Sequence, residues 1–204
     1  MAILGRPKSD KKRQQILKTA TDMFTAQGYA NTSLDQVAAA AGVSKQTIYS
    51  HFSSKDNVLR EGVKHQCMQA QLTVDQSDLS LSPEIFLPIF AARFVGTLLE
   101  DTALRMYRLC LNEGERHPEL GLSFFESGPK LVIQALAQYL AAATARNQMQ
   151  VSYPELAAAQ FLFMVKGLPV EIALLNLQDQ PYEISNEVYI EETCAMFVRA
   201  YPPT

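Results

Sequence analysis

Gly42 divides two short helical runs, and that break constrains the fold more than any other feature of the chain. Residues 33–52 read SLDQVAAAAGVSKQTIYSHF. Before the break, Ser33-Leu34-Asp35-Gln36 has the capping-box form that opens a helix. After it, Ser44 is placed to cap a second helix reaching about Ser50. A turn this tight needs left-handed backbone angles, which glycine adopts without steric penalty. Ala38 is small where a crossing helix must approach, and Val37, Val43 and Ile48 are spaced to form a small shared core. Together these features describe a helix-turn-helix. The alternative, a plain helical hairpin, leaves the outer face of the second helix (Ser44, Lys45, Gln46, Thr47, Tyr49) unexplained. Such side chains suit base edges and phosphates.

The remainder also reads as helix. No segment alternates apolar and polar residues over strand length, so an all-α fold is expected. A first helix spans about 10–27, with Ile16, Ala20 and Phe24 as its core stripe and Gly28 as its stop. A fourth opens at Ser53 or Ser54, with Asp56 favouring its N-terminal dipole, and runs to about Val74. The polar stretch 75–82 (DQSDLSLS) is a candidate boundary. Further helices are expected at about 83–100, 103–116, 119–146 (interrupted at Gly128-Pro129), 152–178 and 184–200. Ser82-Pro83 gives N-cap and first-turn signals, and Ser152-Tyr153-Pro154-Glu155 reads as another capping box. Pro169 should kink or break its helix. The implied organisation is a three-helix N-terminal head with a basic arm (1–54), a connecting helix (55–75) and a C-terminal helical bundle (76–204).

The net charge of −3 hides an asymmetry: residues 1–64 carry +5 and the rest −8. A basic head on an acidic body suggests that the head meets a polyanion. Arg6, Lys8, Lys11, Lys12 and Arg13 form an arm that either follows a phosphate backbone or minor groove, or is a solvated tail. Cys67, Cys110 and Cys194 are odd in number and far apart, which excludes a disulfide scaffold and suits a reducing compartment. The apolar start of the chain is too short for a signal peptide. Lys166, Pro169 and Glu171 interrupt the longest apolar stretch, Phe161 to Leu177, so no membrane span and a cytoplasmic location are expected. The phosphate-loop, dinucleotide, nucleophile-elbow, zincin and CxxC patterns are absent from the sequence, and His51, His65 and His117 lack metal-ligand spacing. An enzyme, a bound metal or a cofactor is therefore not expected. Two rival readings stand: a helical protein-interaction module, and a redox-sensing regulator acting through a cysteine.

Residues 13–59 resemble the DNA-binding head of the TetR family of bacterial transcriptional regulators. The resemblance rests on Ile16-Leu17, Ala20, Phe24 and Gly28-Tyr29, on Thr32 through Ala38, on Ala41 through Phe52, and on Ser53 through Leu59. Asn112 through Leu120 (NEGERHPEL) is similar to the C-terminal domain of one subgroup. The resemblance implies phosphate contacts from Thr32, Ser33, Thr47, Tyr49 and Lys55, and base reading by Lys45, Gln46 and His51. Asp35 stands where some members carry a basic contact. A single recognition helix per head implies a two-fold dimer on double-stranded operator DNA. The resemblance builds that dimer from the last two helices, with Ala157, Ala158, Ala159, Phe161, Leu162, Val165, Leu174, Val188, Met196 and Phe197 as candidate packing residues. It also implies a pocket for an unknown small-molecule effector, with Phe86, Phe90, Phe94, Met106, Tyr107, Cys110, Phe124 and Phe125 as candidate lining. Arg93, Arg105, Arg108 and Glu113 are candidate polar anchors. The expected activity is repression relieved by the effector.

Overall fold

The structure is a computed structural model that describes residues 6–177 and 183–203, with side chains from residue 10 onward. Among the described residues the chain forms ten α-helices, one 3-10 turn and no strand. It divides into two compact units: Met1–Gln66 with Arg105–Gly128, and Cys67–Leu104 with Pro129–Thr204.

The first unit holds α1 (Arg6–Gln27), α2 (Leu34–Ala40), α3 (Lys45–His51), most of α4 (Lys55–Gln69), most of α6 (Asp101–Glu113) and α7 (Pro118–Ser127). α1 starts four residues before the expected position. Pro7 falls in its first turn, where a missing N–H costs no hydrogen bond. Ile16, Ala20, Phe24, Val37, Ile48 and Phe52 are sealed from solvent and form the core of the three crossing helices. Met106, Leu109, Cys110 and Leu120, from α6 and α7, belong to the same core. Side chains tie the helices together at the rim. Arg13 pairs with Glu61 and lies 5.4 Å from the centre of the Phe52 ring. Gln15 donates to the Ala41 carbonyl at 2.9 Å. Asp56 accepts from the Ser123 hydroxyl and pairs with Arg60 at 3.0 Å.

α2 ends as its sequence predicts. Gly42 has φ +62°, and the N–H groups of Gly42 and Val43 return to Ala39 and Ala38 carbonyls at 3.2 and 2.9 Å. That is a Schellman closure. α4 stops at Gln69, short of the expected Val74, by the same device built on Gln71 at φ +53°. The N–H groups of Gln71 and Leu72 bond Met68 and Cys67 carbonyls, both at 3.1 Å.

The second unit packs α5 (Pro83–Leu99), α8 (Pro129–Ala145), α9 (Pro154–Leu174) and α10 (Asn186–Ala200), with the short turn η1 (Asp78–Ser80) against α8. Phe86 stacks on Tyr139 at 3.7 Å between ring centres, and the Tyr139 hydroxyl donates to the Leu81 carbonyl at 3.0 Å. The expected break at Gly128-Pro129 separates α7 from α8. The expected capping box at 152–155 does not form: Tyr153 is the N-cap, without a side-chain bond, and Pro154 takes the first turn. Pro169 does not break α9, which runs on to Leu174; the Tyr189 hydroxyl donates to the Met164 carbonyl one turn earlier at 2.9 Å. Among the described residues, α9 is the one helix long and apolar enough to cross a membrane by length and composition. Its Ala157, Ala158, Phe161, Leu162 and Val165 are instead core residues of this unit.

Candidate nucleic-acid interface

The candidate surface is built from two caps and a turn. At the start of α2, the Ser33 hydroxyl accepts from Gln36 N at 3.3 Å while Gln36 Oε1 accepts from Ser33 N at 2.8 Å. At the start of α3, Ser44 Oγ accepts from Thr47 N at 3.1 Å and lies 2.9 Å from the Thr47 hydroxyl. Each first turn thus has a backbone N–H capped by its own serine. Ile48 alone on α3 is sealed into the core. The opposite face therefore points outward: Lys45, Gln46, Tyr49 and Ser50 are exposed, and Thr47 and His51 half-buried.

Lys45 and Asp35 meet across the turn, Nζ to Oδ2, at 2.6 Å. This hydrogen bond raises the Lys45 pKa above its usual value. The ion pair is a feature that sequence reading missed, because ten positions separate the partners and no local periodicity links them. The other carboxylate oxygen, Asp35 Oδ1, is buried without a hydrogen-bond partner.

Not every expected contact residue joins the outer face. Thr32 is only 2% exposed; its hydroxyl donates to the Gly28 carbonyl at 2.9 Å and accepts from Gln27 at 3.1 Å. Ser33 is exposed, though its hydroxyl is engaged in the cap. Lys55 is half-buried at the start of α4, with Nζ donating to the Tyr29 carbonyl at 2.7 Å. Of the basic arm, Lys11 and Lys12 are exposed on α1, whereas Arg13 is engaged with Glu61. Arg6 and Lys8 lie in the first turns of α1, and their side chains fall outside the described residues.

The eight candidate effector-pocket residues fall into separate groups. Phe86, Phe90 and Phe94 are buried in the core of the second unit. Met106 and Cys110 are buried in the core of the first, and Tyr107 meets Phe124 edge-on at 6.0 Å. Phe125 is 47% exposed. Of the candidate dimer residues, Ala157, Ala158, Phe161, Leu162, Val165 and Phe197 are buried within their own chain. Val188 and Met196 on α10 remain about half exposed, as does Ile184, and Phe163 on α9 is 63% exposed. An open groove of about 310 Å³ runs along α10, with Val188, Glu192, Met196 and Arg199 in its lining. Among the described residues, no group of three His, Cys, Asp or Glu side chains is placed to hold a metal ion.

Known protein families match two successive parts of the chain. Residues 16–61 match the family described as "Bacterial regulatory proteins, tetR family", and residues 86–203 match "AefR-like transcriptional repressor, C-terminal domain". The solved structure of the Flavonoid-responsive Regulator FrrA is 32% identical at a TM-score of 0.74, over 95% of this chain and 98% of that one. A TetR-family transcriptional regulator from Mesorhizobium loti is 26% identical at a TM-score of 0.77, over 97% of this chain and 100% of that one. The HTH-type transcriptional regulator SrpR of Pseudomonas putida is 40% identical over 60 residues, or 29% of this chain. The matched stretch spans 28% of SrpR's own length.

Proposed function

The chain belongs to the TetR family of bacterial regulatory proteins, which are DNA-binding transcriptional regulators, and from that premise we propose that it is a homodimeric cytoplasmic repressor. It binds a palindromic operator and is released by a small apolar or amphipathic effector. The observation that carries the reading is the outward face of α3, where Lys45, Gln46 and Tyr49 stand exposed on a helix anchored by Ile48.

On this reading Tyr49, Thr47 and Lys55 hold phosphates while Lys45, Gln46 and His51 approach base edges. Lys11 and Lys12 add backbone attraction from α1. Two such heads engage half-sites about 34–36 Å apart. The exposed apolar side chains of α9 and α10 support pairing with a second copy. The match of residues 86–203 to a repressor's C-terminal domain supports repression over activation. Coupling of about 1–3 kcal/mol between effector and operator suffices for a 5–150-fold change in affinity. α4 and α6, each divided between the two compact units, are the proposed carriers of that coupling. Because FrrA is flavonoid-responsive by name, planar aromatics are the first effector class to screen.

The test is selection of bound fragments from random DNA, followed by a screen for compounds that release the selected site. A palindromic consensus, displaced by one class of small molecule, is the expected result. Enrichment of no sequence would refute operator binding, and turnover of a screened compound would revive an enzyme.

A further inference from the structure

We propose that Asp35 determines operator specificity: together with Lys45 it forms one donor–acceptor unit that reads a single G·C pair in each half-site. The inference rests on the DNA-binding reading above and adds to it a residue and a base pair.

Asp35 lies in the first turn of α2 and Lys45 opens α3. The Gly42 turn joins the two helices. Nζ and Oδ2 meet at 2.6 Å, with side chains 71% and 43% exposed. The pair therefore stands on the same outward surface as Gln46 and Tyr49. Asp35 Oδ1 is buried, so Oδ2 is the oxygen presented outward, and one of its lone pairs already holds the ammonium.

A carboxylate on a surface that approaches phosphates is repelled unless something compensates it. One compensation is the helix dipole, which favours an acid in the first turn. The neutral Ser33–Gln36 box that caps α2 leaves this dipole in place. Lys45 is the second compensation, and the benefit is mutual. An unpaired lysine on a flexible stem is drawn to any nearby phosphate and carries no sequence information. Paired with Asp35, its ammonium is biased toward one place beside the carboxylate.

The paired groups then match one base-pair edge. In the major groove a G·C pair presents guanine N7 and O6 as acceptors, with the cytosine N4 amino group beside them as donor. Lys45 donates to guanine, and the remaining Oδ2 lone pair of Asp35 accepts from cytosine N4. The reversed C·G pair exchanges donor and acceptor. An A·T pair puts its amino donor between two acceptors and adds the thymine methyl at the edge. Because an exposed ion pair contributes little to stability, its small rearrangement on DNA is inexpensive.

The experiment selects bound sites from random DNA with the full-length wild-type chain, Asp35→Asn, Asp35→Ala and Lys45→Met. The wild type is expected to require G·C at one position of each half-site, by roughly 5- to 100-fold over other pairs. Asp35→Asn and Lys45→Met should both lose that preference at the same position and keep the others. Asp35→Ala should release Lys45 to a phosphate and steepen the salt slope by about 0.9. Unchanged base profiles in the Asp35 variants would overturn the proposal, even with altered thermal stability, since a structural role moves only the latter. Losses at different positions for Asp35 and Lys45 would overturn it too. Failure of the wild type to enrich any DNA would remove the DNA-binding reading beneath it, a result distinct from a normal wild-type site with indifferent variants.

Discussion

Lys55 donates from Nζ to the Tyr29 carbonyl at 2.7 Å and holds its ammonium 4.4 Å from the centre of the Tyr29 ring. One side chain at the start of α4 thus fixes the turn that follows α1. Burial holds the Lys55 pKa below its usual value, opposed by the carboxylates of Glu113 and Glu119.

Lys55→Ala is therefore expected to affect folding and DNA binding together. Loss of the bond to Tyr29 should lower stability by about 1 kcal/mol. Loss of one phosphate contact should reduce the salt slope of operator binding by about 0.9. Urea denaturation and a salt titration measure the two effects separately. An unchanged slope would confine Lys55 to the fold.

Tyr49→Phe isolates the contact face. Tyr49 is 54% exposed, so stability should change by no more than about 0.5 kcal/mol. Operator affinity should fall, while the salt slope stays constant because a neutral hydroxyl releases no counterion. Equal affinity for both proteins would remove Tyr49 from the interface.

At Gly42 the backbone, not space, is limiting. A Cβ there meets no heavy atom within 4 Å, yet φ is +62°. Gly42→Ala should cost about 1–2 kcal/mol through the left-handed conformation alone. Gly42→Asn should cost less, since asparagine tolerates that region. A reversed order in urea midpoints would contradict this account of the turn.

The cysteines should be inert. Burial pushes the thiols of Cys110 and Cys194 up to about 12 and raises that of Cys67. At neutral pH all three are held as thiols, the form that neither attacks nor oxidises readily. Alkylation of the native protein should be slow and become fast on unfolding. Rapid native labelling at any of them would restore the redox-sensing alternative.

Met196→Glu places a charge on the exposed apolar surface of α10. Sedimentation should detect a shift from dimer to monomer with helicity retained. A variant that still dimerises normally would exclude this face from the contact.

Positions controlled by local chemistry were legible in the sequence. Ser33, Ser44, Gly42 and the Gly128 break announce themselves through capping and backbone preference, and Ile16, Ala20 and Phe24 through helical spacing. What escaped has nonlocal or residue-neutral causes. Nothing about Gln71 marks it as a left-handed helix stop, so α4 was expected to run longer. Tyr153, not Ser152, caps α9 because proline prefers the first turn. The pairing of Lys45 with Asp35 and the internal use of the Thr32 hydroxyl depend on side chains converging in three dimensions. Aromatic spacing on α5 could not tell a lining from a core, and Phe86 on Tyr139 is packed as core.

Met106, Leu109, Cys110 and Leu120 share one core with the helix-turn-helix although some fifty residues or more of chain separate them from it. A reader module excised at the end of α4 would expose that oily seam to water. Moving the helix-turn-helix unit onto another protein consequently calls for a discontinuous transplant, in which 105–128 travels with 1–66.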